Sequence, residues 1–191
     1  MINFSRFSLV ALNRLIIGIT LEFGPIFIFL LSFHYLHIYK ATFILMIATI
    51  ISTVATYRIQ KRLPYIALYV AFLTLVFGYM TIINHQPKFI QMRDTLYDIT
   101  SALTLLIGLM VNVSFLKLAF HDVLPMTNQA WNKLTYIWIG FFIIVAVINE
   151  YVRRTMTLMQ WFDFKSIMVF VTLFFGLLTL YFIYEKSEHH K

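Results

Sequence analysis

The chain has 191 residues, 61% hydrophobic and 12% charged, with a mean hydropathy of +0.82. A soluble domain carries about a quarter of its residues charged and has too little interior to enclose this much apolar surface, so a soluble globular fold is excluded. The net charge of +7 comes without a basic run interleaved with aromatics, which argues against nucleic acid as a partner, and with no cysteine there are no disulfides, thiolate metal sites or cysteine nucleophiles.

In chain order, six stretches reach or approach the roughly 20 apolar residues that a membrane-spanning helix needs. They are Leu15–Tyr35, Ala41–Tyr57, Leu63–Asn84, Thr95–Leu116, Leu134–Glu150 and Ser166–Tyr184. None alternates polar and apolar residues, so a transmembrane barrel fits poorly. The expected fold class is all-α: a polytopic transmembrane helix bundle of six spans, or five if the first stretch does not cross.

Residues 1–14 read as an N-terminal interfacial segment. Phe4, Phe7, Val10 and Ala11 share a helical face, Arg6 and Arg14 add positive charge, and no small-x-small cleavage site follows. Residues 15–184 form the transmembrane domain and 185–191 a polar C-terminal tail. Of the joining segments, Arg58–Arg62 carries three cations. Lys117–Lys133 and Tyr151–Lys165 mix apolar and charged residues, and their Trp131 and Trp161 are expected at headgroup level. Counting Lys and Arg on the two sides of six spans gives nine against six, which places both termini in the cytoplasm. Thr74–Gly78 is echoed by Thr172–Gly176, as in an inverted repeat, but no other pair of spans shows an echo and we read it as chance.

Ionisable groups among apolar residues are the candidates for function, because placing charge in hydrocarbon is costly. Glu22 precedes Gly24 and Pro25, and the proline frees a backbone carbonyl, so a proton or cation site is the functional reading. The plainer one starts the span at Phe23 and leaves Glu22 as an interfacial carboxylate, which we favour. Asp94 and Asp98 stand four apart on one helical face beside Arg93. They form either an acid/base or cation pair or, more plainly, a solvated helix start. Asn149, Glu150, Asp163 and Lys165 fall at the same membrane face as Lys88 and Arg93, as a cross-helix salt-bridge network or an ordinary headgroup-level rim. His34 and His37 lack a third ligand and read as part of an interfacial aromatic belt rather than a metal site. No nucleotide-binding, hydrolase or metalloprotease motif is present, so neither a cofactor nor an enzyme activity is expected.

Four segments together resemble a known family. They are Glu22-Phe23-Gly24-Pro25-Ile26-Phe27; His85 with Phe89-Ile90, Arg93, Thr95 and Tyr97; Trp131-Asn132-Lys133-Leu134 with Trp138 and Phe141-Phe142; and Asn149-Glu150 with Trp161 and Phe164-Lys165. In order and spacing they are similar to the bacterial septation protein A family, also called inner membrane-spanning protein YciB. The chain departs from it at Arg93-Asp94-Thr95, where members often carry K-P-T, at Asp98, where they usually carry an apolar residue, and in a longer segment before Glu22. The resemblance implies a Gram-negative inner-membrane protein of envelope maintenance and septation that works with the elongation and division machinery, and it carries over no catalytic residue.

The expectation is therefore an inner-membrane protein supporting envelope biogenesis, membrane integrity and septation through protein partners or membrane lipids, with a homo-oligomer compatible. A small transporter or channel for lipid or a proton-coupled solute, and a membrane-embedded lipid-modifying enzyme, are the alternatives. The polar residues to follow are Glu22, Arg93, Asp98, Asn149, Glu150 and Lys165.

Overall fold

The computed structural model describes residues 9–61, 63–120 and 126–188. Among these the regular structure is entirely helical: α1 (Leu9–Tyr35), α2 (Ile38–Gln60), α3 (Tyr65–Ile83), α4 (Lys88–Met110), α5 (Phe115–Phe120), α6 (Asn128–Thr155) and α7 (Leu158–Glu188). Helix is what this composition dictates. No water reaches a bare N–H or C=O in hydrocarbon, and a helix satisfies both within itself.

Five helices contain apolar stretches long enough to cross a bilayer: Ile16–Tyr35, Ile38–Ile59, Tyr65–Ile83, Asn128–Thr155 and Leu158–Thr179. α4, with 23 residues, is roughly 34 Å long and packs between α3 and α6, but it carries Arg93, Asp94 and Asp98. Short connections make successive helices antiparallel. α1 packs on α2, α2 on α3, α3 on α4, α4 on α6, α6 on α7, and α7 returns to α1, closing a ring. Aromatic contacts make the closure: Phe33 stacks on Phe162 with centroids 4.1 Å apart, and Phe27 meets Phe170 edge-on at 6.0 Å.

Local chemistry sets the turns. Pro64 and Pro87 stand immediately before α3 and α4, where a missing N–H costs nothing. Lys61, His85 and Asn112 take positive φ values of 52°, 49° and 58° just beyond α2, α3 and α4, the left-handed conformation that closes a helix C-terminus. Thr157 and Gln160 form a reciprocal cap before α7, the Thr157 hydroxyl accepting from Gln160 N at 3.3 Å and Gln160 Oε1 accepting from Thr157 N at 2.9 Å.

The bundle holds polar side chains among an apolar interior and turns an apolar surface outward. Thr42, Thr74, Thr81, Gln91, Asp94, Asp98, Thr135 and Asn149 are buried, while Ile51, Phe72, Ile144, Val147, Phe170, Phe174 and Leu177 are exposed. So extensive an apolar exterior is not that of a protein in water and suits one whose solvent is lipid. Small residues permit close helix contact. A Cβ added at Gly78 on α3 falls 2.8 Å from the Met46 sulfur of α2.

Two expectations change. The fourth span was placed at Thr95–Leu116, yet α4 is Lys88–Met110, because Asn112 turns the chain there and the charges expected to hold the helix out of the bilayer are enclosed by protein. Trp131 and Trp161, expected in headgroup-level connections, lie within α6 and α7 with 0% and 1% of their surface exposed. Polar first turns extend both helices beyond their apolar runs. Of the expected interfacial segment and polar tail, residues 1–8 and 189–191 lie outside the described residues, as do Arg62 and residues 121–125.

Candidate functional site: a polar cluster at one end of the ring

The α1–α2, α3–α4 and α6–α7 turns all lie at one end of the ring, and the densest polar contacts gather there. α4 presents Arg93 and Asp94 one and a half turns in from Lys88, with Asp98 one turn deeper. Asp94 Oδ1 accepts from Arg93 Nε at 2.9 Å and Nη2 at 2.5 Å, and Oδ2 lies 2.7 Å from Lys165 Nζ of α7. Arg93 Nη1 also donates to the Thr74 hydroxyl of α3 at 3.1 Å. The side chains of Asp94, Arg93 and Lys165 are 6%, 13% and 21% exposed, so the pairs are largely desolvated. Asp98 is buried one turn deeper on the same helix, and no ion pair joins it among the described residues.

Asn149 is the second hub. Its Nδ2 donates to Thr95 Oγ1 at 2.7 Å and to the Gln91 carbonyl at 3.3 Å, both on α4, and its Oδ1 accepts from Trp161 Nε1 of α7 at 3.2 Å. The amide thus uses both donors and an acceptor to tie α6 to two neighbours in a place water does not reach. Around it Phe29, Ile38, Leu45, Ile90, Val152 and Trp161 form the largest apolar core cluster, which spans α1, α2, α4, α6 and α7.

Glu150 belongs to a separate set. Arg153 donates to both of its oxygens, at 2.9 and 2.5 Å, and Arg154 Nε donates to Oε1 at 2.5 Å, all within α6. Its link to α4 is a 3.5 Å contact from the Thr95 hydroxyl. The expected network joining Arg93, Glu150 and Lys165 is therefore two networks. Arg93 and Lys165 converge on Asp94, while Glu150 is held by its own helix, where cations three and four residues on are within reach. Asp163 is exposed with no ion pair among the described residues, and Lys88 lies 5.6 Å above the Phe89 ring.

Glu22 lies on α1 within the apolar stretch Ile16–Tyr35. It is exposed, and no ion pair joins it among the described residues. The backbone carbonyl freed by Pro25 is that of Leu21, and the Ser52 hydroxyl of α2 donates to it. The broken turn is already satisfied and adds no vacant ligand to Glu22.

At Asp94 and Asn149 the bonding capacity is taken up. Both Asp94 oxygens are held by cations, so this carboxylate is not a free base, and Asn149 has its partners. The arrangement joins helices.

The intracellular septation protein A family model matches residues 17–190. Relatives named inner membrane-spanning protein YciB include one from Afipia carboxidovorans, 31% identical over 87% of this chain and 80% of its own length. Another, from Shewanella amazonensis, is 30% identical over 90% of this chain and 95% of its own, and a third from Shewanella oneidensis is 30% identical over 86% and 92%. No solved structure matches. With the family model covering nearly the whole helical ring and relatives aligned over most of both chains, this chain belongs to the intracellular septation protein A family.

Proposed function

We propose that this protein is a multi-pass inner-membrane protein that supports cell-envelope biogenesis, membrane integrity and septation, acting through division or elongation proteins or through lipids rather than as an enzyme. The observation that carries this reading is the family match along residues 17–190, with relatives named for spanning the inner membrane. The geometry supports it, since the most buried polar groups at the cluster are committed to holding helices together, while long apolar faces are left for lipid or partner helices. The cation count, taken over six spans, supports an orientation with both termini toward the cytoplasm.

The test is deletion of the gene in its host, followed by imaging of septum spacing and measurement of membrane permeability. Rescue by the wild type is expected. Normal septa and an intact permeability barrier after deletion would falsify the reading.

Glu22 favours a second reading, a transporter or channel, because it stands inside an apolar span without an ion partner among the described residues. Glu22→Gln that inserts normally yet gives no rescue supports transport; full rescue removes it.

A further inference from the structure

Where α4 ends, α5 crosses and α6 begins, the chain forms a partly open cavity of about 250 Å³, at the end of the ring opposite the ion-pair cluster. Asn112, Ser114, Lys117, Asn128, Trp131 and Asn132 line it, and no carboxylate does so among the described residues. Lys117 Nζ donates to Asn128 Oδ1 at 2.7 Å. That bond fixes the ammonium at the wall and leaves two of its three N–H groups for a ligand. With its oxygen engaged, the Asn128 amide has its NH₂ left to donate. Trp131 is fully buried, and its indole N–H meets no acceptor among the described residues. Asn112, held at φ 58° by the helix end, adds a third kind of anchor: an amide whose place is set by the backbone turn.

A donor-rich wall with one positive charge recognises an anion bearing several oxygens. The surroundings say what else that anion carries. Met110, Val111, Phe115 and Leu118, on the same corner, are all exposed apolar side chains. A free phosphate has nothing to gain from them, whereas an amphiphile does. The cavity has room for a phosphate diester and part of its glycerol.

We propose that this cavity binds the phosphate diester of an anionic phospholipid, with the acyl chains lying along the exposed apolar corner of α4 and α5. On the cation-count topology this is the cytoplasmic leaflet, where basic pockets between spanning helices meet anionic headgroups. The inference rests on the membrane placement above and not on the role in septation.

The experiment titrates the purified protein in neutral detergent with dioleoylphosphatidylglycerol, dioleoylphosphatidylcholine or sodium phosphate and follows tryptophan emission, for which Trp131 is the reporter. Saturable binding of phosphatidylglycerol is expected, weakened about tenfold by Lys117→Gln and also weakened by Asn132→Ala. Lys61→Gln, a charge lost at a different corner, should leave it unchanged. If Lys117→Gln loses its helical circular dichroism, the exposed Asn132→Ala decides alone. Wild-type affinity in the deciding variant overturns the site. Equal loss with Lys61→Gln reduces it to general surface charge and overturns it too. Sodium phosphate or phosphatidylcholine matching phosphatidylglycerol overturns the lipid assignment. The readout is binding, so failure here leaves the septation reading standing, and failed rescue there leaves this site standing.

Discussion

Lys165 of α7 reaches Asp94 of α4 at 2.7 Å, although α6 lies between the two helices in the ring. Asp94 holds a second cation, Arg93, on its other oxygen. Removing the carboxylate strands two cations; removing Lys165 leaves Asp94 still paired. Breaking a buried pair costs about 3–5 kcal/mol. Asp94→Asn should therefore lower the melting temperature in detergent more than Lys165→Met does, and the double variant should lose less than the sum of the two. A larger loss from Lys165→Met would mean that Arg93 does not share the carboxylate.

The separation of the two networks makes a contrasting prediction. Glu150 answers to Arg153 and Arg154 on its own helix. Glu150→Gln, on a partly exposed surface, should cost about 0–1 kcal/mol and be additive with Lys165→Met. Strong coupling between those two substitutions would join what the coordinates keep apart.

Asn149 and Trp161 test the second hub. Trp161→Phe keeps most of the ring volume but removes the N–H that reaches Asn149 Oδ1 at 3.2 Å. The expected loss is about 1 kcal/mol from the bond, more if the buried amide oxygen finds no other donor. In an Asn149→Ala background the same change should cost less, since that acceptor is gone. Guanidinium or thermal unfolding of the four proteins of the cycle measures the coupling, and zero coupling would refute the bond.

Pro25 and Ser52 form a compensating pair. Pro25 cannot donate to Leu21, and the Ser52 hydroxyl does so from α2. Ser52→Ala should destabilise by about 1–3 kcal/mol, because it strands a carbonyl with no water nearby. In a Pro25→Ala background the helix supplies its own N–H, and the serine should become nearly dispensable. An unchanged cost in both backgrounds would show that the hydroxyl serves another purpose.

Topology is tested with alkaline phosphatase fusions. A fusion near Gln86, in the turn between α3 and α4, should be active, and one after Glu188 inactive. The reverse pattern would invert the orientation drawn from the cation count.

Much of this architecture was legible in the sequence because apolar runs report spanning helices directly. Length and charge sparsity located the apolar part of five of the six long helices, though polar turns carry some ends up to eight residues further, as at Leu158 of α7. The fourth was misplaced because Arg93, Asp94 and Asp98 look like a solvated start, and only tertiary structure brings Lys165 and Thr74 to them. Asn149, Glu150 and Lys165 could be assigned to one membrane face by counting spans, but which acid meets which base depends on helix rotation, which composition does not specify. Trp161 carried a signal within the family-like segment ending at Lys165, yet its partner was hidden because an indole N–H can serve an interface or a core equally well. Ser52 had no signal of its own. Pro25 announced a missing donor without saying which helix would replace it.

The adjacency of Arg93 and Asp94 along the chain has a consequence for how the protein is made. α4 leaves the ribosome before α6 and α7 exist, so Lys165 is not there to receive Asp94. An isolated charge in a nascent span is costly at insertion, about 2.5–3.5 kcal/mol at the centre and less near the end where Asp94 stands. Because Arg93 is the neighbouring residue, α4 brings its own counter-ion to the insertion machinery and enters partly neutralised. Lys165 is made last, on the helix that closes the ring, so its bond to Asp94 can form only once α7 has been synthesised.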